Sequence, residues 1–250
     1  MRSLTALTIL TVLAAPAWAA LPLTDDFNDG TVDAAKWSSA FVNASHTGLL
    51  PIEEGGFMKF NTGAFLSSVE EFDPATEQLV IRARLRMTDT DGDQENFNIV
   101  TRASALPGQF GETHGLGFRI NMDNRSGIND SLSVFDFGDA DDTLLDDQGN
   151  AVTHLNVFGL DIANGDTLDV LITDDGTNFT FEVTDALANV ATISGSTSYS
   201  GATNGNHISF YNRQTSGALT EVDFINVVVP EPATLGALTL AGLMSLRRRR

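Results

Sequence analysis

The chain has 250 residues, a formal net charge of −19 at pH 7 and no cysteine. The lack of cysteine excludes disulfides, thiolate metal sites, a cysteine nucleophile and lipid attachment to an N-terminal cysteine. Because an acidic surface repels polyanions, the charge excludes nucleic acid as a partner and disfavours anionic lipid. The same charge favours solubility and the binding of divalent cations.

The first 19 residues have the three parts of a secretory signal peptide. Arg2 precedes an uncharged run from Ser3 to Ala15, and Ala17-Trp18-Ala19 is a cleavage site of small residues around Trp18. The apolar run is too short for a transmembrane anchor. We therefore predict cleavage after Ala19 and export by the general secretion machinery.

The next part of the chain, residues 20–228, is predicted to be one all-β domain. No segment has a long helical period, and short runs of Val, Ile, Phe and Thr are separated by clusters of Gly, Asn and Asp. This spacing predicts an antiparallel two-sheet sandwich. Apart from the strands discussed below, the predicted strands are Phe57–Phe60, Phe97–Arg102, Gly115–Met122, Leu132–Phe137, Val190–Ser194, His207–Tyr211 and Glu221–Val228.

Both ends of this domain resemble concanavalin A-like jelly rolls, a group that includes laminin-G-like modules, legume-type lectins and some glucanases. Asp25–Thr31, followed by Trp37, is similar to the first strand of that fold, and Val222–Val228 is similar to its last strand. The resemblance implies a jelly roll that covers nearly the whole domain. Function does not follow from the fold alone.

Jelly-roll glucanases place the carboxylate motif E-x-D-x-(x)-E along one strand. Their retaining members need two carboxyl groups about 5–5.5 Å apart. The segment Glu71–Glu77 has one residue too many before its last Glu, and Pro74 would interrupt a central strand. We interpret it as a surface turn and predict that the protein is not an enzyme.

The strand predicted from Leu79 to Met87 separates apolar from basic side chains, because successive residues of a strand point to opposite faces. Its apolar face is formed by Leu79, Ile81, Ala83, Leu85 and Met87. Its basic face is formed by Arg82, Arg84 and Arg86. These arginines either bind an anionic polysaccharide or pair across strands with acids such as Asp169 or Glu182.

Three groups of acidic residues are candidate calcium sites, since Ca²⁺ prefers hard oxygen ligands. The first surrounds Gly92 without the spacing of an EF-hand and consists of Asp89, Asp91, Asp93 and Glu95. The second consists of Asp139, Asp141, Asp142, Asp146 and Asp147. The third pairs Asp25 or Asp26 with Asp223, because the first and last strands of jelly rolls often lie side by side. The alternative for the first group is a solvated acidic turn.

The clearest hairpin joins Leu168–Thr173 to Phe179–Thr184. Between them, Asp174–Thr177 contains Asp175-Gly176, a pair that we expect to supply the positive-φ positions of a tight turn. Phe179, Phe181 and Val183 are predicted to point inward from the second strand.

Histidine and aromatic residues give no catalytic pattern. The four histidines lack the spacing of a zinc hydrolase, and they are His46, His114, His154 and His207. The rings best suited to stack on sugars are Trp37, Tyr199 and Tyr211. So few rings disfavour a stacking-type lectin, but a lectin that uses Asn, Asp and calcium stays open.

The last 22 residues combine a Pro-Glu-Pro segment, an uncharged run from Ala233 to Leu246 and four terminal arginines. A helix of fourteen residues reaches about 21 Å, short of the roughly 30 Å hydrocarbon core. Bilayer thinning and snorkelling of the arginines would allow a short transmembrane helix with a cytoplasmic basic end. An ordinary single-span anchor is the simpler interpretation.

The order of these parts resembles the PEP-CTERM sorting signal of exported bacterial proteins. The residues that carry the resemblance, besides the apolar run, are Val229, Pro230, Glu231, Pro232, Arg247, Arg248, Arg249 and Arg250. The resemblance implies recognition by an exosortase-type membrane peptidase, removal of the tail and delivery to the cell surface or extracellular polysaccharide.

Together, these features predict an exported, non-enzymatic protein of the cell surface or extracellular matrix, with one β-sandwich on a sorting tail. The first alternative is a calcium-supported module that binds extracellular polysaccharide. The second is a glycan hydrolase or lyase, which the faulty carboxylate motif disfavours.

We expect mature protein from the native cell envelope to lack the residues that follow the Pro-Glu-Pro segment, because the implied peptidase removes the apolar run. Intact-mass measurement of the envelope fraction checks this prediction. A mature chain that retains Arg250 would contradict it.

Overall fold

The computed structural model describes residues 22–41, 50–74, 78–89, 92, 94–104, 115–123, 125, 130–136, 143–199, 206–212 and 218–229. Within this part of the chain there are seventeen strands and no helix, which confirms the all-β class. It therefore contains no helix that could span a lipid bilayer. The predicted signal peptide and the tail beyond Val229 lie outside the described residues.

The strands are short to medium in length. In chain order they are β1 (Leu23–Asp25), β2 (Trp37–Phe41), β3 (Ile52–Glu53), β4 (Met58–Asn61), β5 (Ala64–Ser68), β6 (Leu79–Asp89), β7 (Gln94–Ala103), β8 (Leu116–Asp123), β9 (Ser131–Asp136), β10 (Leu144–Leu145), β11 (Ala151–Val152), β12 (His154–Phe158), β13 (Thr167–Asp174), β14 (Asn178–Thr184), β15 (Val190–Thr197), β16 (His207–Asn212) and β17 (Ala218–Val228).

These strands form two antiparallel sheets, which confirms the predicted sandwich. The ten-stranded sheet has the order β11-β10-β15-β14-β13-β6-β17-β4-β3, and β1 also pairs with β17. The seven-stranded sheet has the order β12-β9-β8-β7-β16-β5-β2. Leu23 lies opposite Val227, so the first and last strands are neighbours as predicted. The first strand ends at Asp25, whereas the predicted strand began there.

The core lies between the sheets and is supplied mainly by alternate residues along the strands. Burial alternates along β6, so its apolar residues face inward and its arginines outward, as predicted. Phe118 of β8 packs edge-on against Phe179 and Phe181 of β14, with ring centroids 5.9 and 5.5 Å apart. Such cross-sheet aromatic contacts join the two layers because each ring is fully removed from water.

The hairpin of β13 and β14 is present, but its turn differs from the prediction. Only Gly176 has a positive φ, of 89°, because the Asp175 carboxylate accepts hydrogen bonds from the N–H groups of Thr177 (2.9 Å) and Asn178 (2.6 Å). These bonds stabilise an ordinary backbone conformation at Asp175. Asp174 is not a turn residue, since it ends β13 and is completely buried.

Of the segment Glu71–Glu77, which we predicted to be a surface turn, the structure describes Glu71–Pro74. This part contains no strand, but Phe72 and Pro74 are buried. Six of the strands were not predicted, namely β2, β3, β5, β10, β11 and β12. All six are short, with two to five residues each, so their local patterns carry little signal and pairing with neighbours defines them.

A buried ion pair joins the sheets at the end where β7 and β13 finish. Arg102 and Asp174 are both completely buried; Nε of Arg102 donates to Oδ2 of Asp174 at 3.0 Å, and Nη2 donates to Oδ1. Oγ1 of Thr101 donates to the same carboxylate at 2.6 Å, as does the N–H of Gly176 at 3.0 Å. Nη1 of Arg102 donates to the carbonyl of Tyr199.

The backbone at Arg102 explains how its side chain enters the core. Its φ is +55°, and the register between β7 and β16 shifts at this point, from Val100 opposite Ser209 to Ala103 opposite His207. Such a bulge breaks the alternation of faces. As a result, Thr101 and Arg102 both reach Asp174, although consecutive residues of a regular strand point to opposite sides.

Replacing Asp174 by Asn should destabilise the domain strongly, because the Arg102 guanidinium would stay buried without its counter-charge. The loss expected for breaking a buried pair is about 3–5 kcal/mol in the free energy of unfolding. Urea unfolding monitored by circular dichroism measures it.

The matched control is Asp169→Asn on the same strand. Asp169 forms a solvent-exposed ion pair with Arg84, and its side chain is 53% exposed. We therefore expect its loss to change the free energy of unfolding by at most about 1 kcal/mol. Equal midpoints for the two variants would contradict the role assigned to the buried pair.

Candidate functional site

The outward side of the seven-stranded sheet carries polar and aromatic side chains. On β7, β8 and β9, alternate residues such as Phe97, Phe118 and Leu132 enter the core, so the residues between them face outward. We call this side of the sheet the polar face. Its Asn96, Asn98, Arg119, Asn121 and Ser133 side chains are at most 7% exposed, and its exposed members lie on β12. Its members on β7, β8, β9 and β12 are Asn96, Asn98, Arg119, Asn121, Ser131, Ser133, Phe135, His154, Asn156 and Phe158.

A chain of hydrogen bonds crosses the polar face from strand to strand. Nε of Arg119 donates to Oδ1 of Asn98 at 2.8 Å. The Asn121 amide donates to Oγ of Ser131 at 3.0 Å and of Ser133 at 3.1 Å. Ser133 in turn donates to Oδ1 of Asn156. Such a network fixes the rotamers of the side chains that it joins.

Flat groups stack at the β12 edge of the same surface. The guanidinium carbon of Arg119 lies 4.2 Å from the ring centroid of Phe135. Phe135 stacks on His154 with centroids 5.7 Å apart and an interplanar angle of 25°. His154 and Asn156 are exposed, and Phe158 is 60% exposed. This edge therefore presents rings next to an amide group to solvent.

The electrostatics of the polar face are dominated by paired groups. At its far end, Nε and Nη2 of Arg125 donate to the two carboxylate oxygens of Asp123 at 2.8 and 2.5 Å. These bonds hold the pKa of Asp123 below its ordinary value. Asp130 accepts from the N–H groups of Asp123 (2.8 Å) and Ile162 (2.6 Å), but burial raises its pKa. Both carboxylates therefore stabilise loops.

The predicted stacking residues are elsewhere. Trp37, Tyr199 and Tyr211 are at most 6% exposed, so none of them is available to a ligand. Nε1 of Trp37 donates to Oδ2 of Asp25 at 2.7 Å. Of the histidines, His154 is exposed and His207 is buried against the carbonyl of Ser68 at 2.8 Å. His46 and His114 lie outside the described residues.

The arginine row lies on the outer side of the ten-stranded sheet and forms cross-strand pairs. Nε of Arg84 donates to Oδ1 of Asp169 at 2.8 Å, which confirms one of the two predicted pairings. Nε of Arg86 donates to Oε2 of Glu221 at 2.5 Å, so Glu221 takes the place proposed for Glu182. These hydrogen bonds raise the pKa of both arginines.

The same arginines also make cation–π contacts with aromatic rings. The guanidinium carbon of Arg86 lies 4.1 Å from the ring centroid of Phe57, and that of Arg84 lies 5.8 Å from the centroid of Phe224. Arg82 is exposed and has no hydrogen bond or ion pair within the described part of the chain. Binding of an anionic polysaccharide by this row stays a prediction.

The first calcium candidate is only partly described. Asp89 ends β6 and accepts from the N–H of Gly92 at 2.8 Å, while Glu95 is buried on β7. Asp91 and Asp93 lie outside the described residues. Among the residues described, no group of three or more His, Asp or Glu side chains is arranged to hold a metal ion.

In the other two candidate calcium groups, described carboxylates bind other groups of the protein. In the second group, Asp146 accepts from the N–H and amide of Asn150, and Asp139, Asp141 and Asp142 lie outside the described residues. In the third, Asp25 binds Trp37 and contacts Lys36 at 3.5 Å. Asp25 and Asp223 line different hollows of the surface.

The polar face was missed by sequence reasoning although its signal was present. The pairs Asn96 and Asn98, Arg119 and Asn121, and Ser131 and Ser133 are all spaced by two residues. Each pair lies in or beside a predicted strand, so period-two alternation places each pair on one face. The sequence does not show that the three pairs lie on adjacent strands, which joins them into one surface.

Comparison with known proteins supports the fold at low sequence identity. No family model and no curated protein matches the chain. A glycoside hydrolase GH43B associated with xyloglucan in Bacteroides ovatus has a TM-score of 0.55 and 14% identity, over 88% of this chain and 42% of that one. This chain thus spans less than half of that hydrolase.

Two further structures are similar over most of their own length. A legume lectin-like domain from Entamoeba histolytica has a TM-score of 0.51 and 11% identity, over 78% of this chain and 90% of that one. The exoplasmic domain of VIP36, determined with Ca²⁺ and Man3GlcNAc, has a TM-score of 0.54 and 11% identity, over 78% and 84%. The fold is therefore a jelly-roll sandwich of the legume-lectin type.

Proposed function

We propose that the protein is an exported, non-enzymatic domain that binds carbohydrate at the β12 edge of the polar face. The observation that carries this proposal is the stack of Arg119, Phe135 and His154 beside the hydrogen-bonded Asn and Ser side chains. A sugar has C–H faces that pack on rings and hydroxyl groups that need fixed donors and acceptors. The exposed edge offers both.

The fold is consistent with this proposal. The similar structures include lectin domains, and the VIP36 domain was determined with a glycan and calcium bound. At such low identity these likenesses support the fold and add only analogy on function. The site itself carries the argument.

We propose binding rather than hydrolysis. Retaining hydrolysis needs two carboxyl groups about 5–5.5 Å apart, one on each side of the scissile bond. In the described part of the polar face the exposed groups are the imidazole of His154, the amide of Asn156 and the phenyl ring of Phe158. These groups suit recognition.

The topology fits display on a C-terminal tail. Val228 and Arg102 lie at the same end of the sandwich, because Val80 pairs with Val228 and Leu79 pairs with Asp174. Phe158 pairs with Ser131 at the opposite end. His154, by contrast, pairs with Phe135 toward the end that holds Arg102, because Leu116 pairs with both Thr101 and Asp136. A PEP-CTERM tail would therefore attach at the end nearer His154 and leave Phe158 at the far end.

Phe158→Ala and Asn156→Ala should weaken glycan binding, because they remove the most exposed ring and an amide of the edge. We expect about a tenfold rise in Kd for each, which corresponds to about 1.4 kcal/mol. Calorimetric titration with the producing organism's extracellular polysaccharide and with cellopentaose, xylopentaose and mannopentaose measures the change.

Leu187→Ala is the matched control for loss of an exposed apolar side chain, since Leu187 is 68% exposed in the turn between β14 and β15. Its Kd should equal that of the native protein. Native binding that neither edge variant weakens would overturn the assignment of the site.

We also propose that calcium supports the domain through Asp89, Asp91, Asp93 and Glu95. If Ca²⁺ binds only the folded state, chelation with EGTA should lower the melting temperature measured by calorimetry. Asp93→Asn should remove most of this difference, whereas Asp147→Asn should leave it intact. An unchanged melting temperature after chelation would end the calcium proposal.

A further inference from the structure

The outer side of the ten-stranded sheet has a hollow of about 410 Å³ where β1 pairs with β17. It lies on the opposite sheet from the polar face, so it is a separate surface. Its lining residues include Thr24, Asp26, Lys36, Phe224 and Asn226. Its volume is within the range of small-ligand sites, about 300–1,000 Å³.

The polar groups of this hollow are available to a ligand. Oδ2 of Asp26 accepts from the Asn28 amide at 2.6 Å, and among the described residues Oδ1 has no hydrogen-bond partner. The same is true of the Asn226 side chain, which faces outward from β17. The Asp26 carboxylate, a hydrogen-bond acceptor, and the Asn226 amide, a donor, therefore line the same hollow as the Phe224 ring.

A second hollow, of about 230 Å³, adjoins the first across the contact between Phe224 and Arg84. Phe57, Arg86 and Asp223 line it, and Phe57 is held by the Arg86 guanidinium. A bulge in β17 between Val222 and Phe224 brings Asp223 and Phe224 to the same side of the sheet. Each hollow thus combines a phenyl ring with at least one carboxylate.

The charges of this surface favour an uncharged ligand. Lys36, Arg84 and Arg86 are offset by acids of the protein, at Asp25, Asp169 and Glu221. The field around them is negative, because 32 of the 33 acidic residues but only nine of the fourteen basic residues lie between Ala20 and Val229. A polyanion would meet one unpaired arginine, Arg82, inside this field.

We propose that the two hollows form a second glycan-binding groove, which takes adjacent sugars of a linear neutral polysaccharide. Asp26 and Asn226 would bind hydroxyl groups in the larger hollow, and Phe224 and Phe57 would pack against sugar C–H faces. The arginines fix these rings. With binding sites on both sheets, one domain would cross-link two polysaccharide chains, and its avidity would exceed the affinity of either site.

The test uses the protein with Phe158→Ala and Asn156→Ala already in place, which should weaken binding at the polar face about a hundredfold if the two effects add, so that the second groove dominates the titration. Cellopentaose, xylopentaose, mannopentaose, laminaripentaose and chitopentaose are titrated calorimetrically. At least one should bind, and adding Asn226→Ala should raise its Kd at least tenfold. Asp26→Asn should also raise the Kd. Because this change is on the exposed surface, it keeps the test valid if the Asn226→Ala variant does not fold.

Asn61→Ala is the matched control, because Asn61 lies on the same sheet outside both hollows and its loss should leave Kd unchanged. Failure of all five oligosaccharides to bind the polar-face variant would overturn the second groove while leaving the polar face untouched. Binding of trigalacturonate alone, abolished by Arg82→Gln, would also overturn it, in favour of an anionic ligand.

Discussion

The buried ion pair between Arg102 and Asp174 is the contact on which the joining of the two sheets depends at one end of the sandwich. A buried guanidinium is tolerated only when its charge and donors are matched, and here a carboxylate and the carbonyl of Tyr199 match them. The positive φ of Arg102 is the local cost of this arrangement. Because both charges lie in the interior, either one alone would destabilise the fold.

The alternation of side chains along the strands explains why one small domain has two different surfaces. Inward residues of both sheets supply the phenylalanine-rich core, so the residues between them lie on the outer sides of the sheets. On the seven-stranded sheet these positions hold Asn, Ser and Arg119, while on the ten-stranded sheet they hold the arginine row and its acids. The same core therefore supports two chemically distinct faces.

The arginine row shows that a basic sequence pattern need not form a polyanion site, because its arginines can be paired with acids of the protein. Three arginines on one strand look like a site for a polyanion, but Arg84 and Arg86 each bind a carboxylate and contact a phenyl ring. Guanidinium groups held in this way act as rigid supports for aromatic rings. In the proposed groove, their contribution would be the placement of Phe224 and Phe57.

The sequence by itself determined the all-β class and the inward and outward faces of β6 and β14. These features depend on period-two alternation and on turn residues, which are local. The pairing of the first strand with the last was expected only from the resemblance to jelly rolls. Export, sorting and calcium binding stay predictions. Only the tertiary structure decided that Arg102 meets Asp174, 72 residues away, and that β7, β8, β9 and β12 bring their polar residues together. Strand order and bulges are set by packing of the whole chain, and no local pattern encodes them.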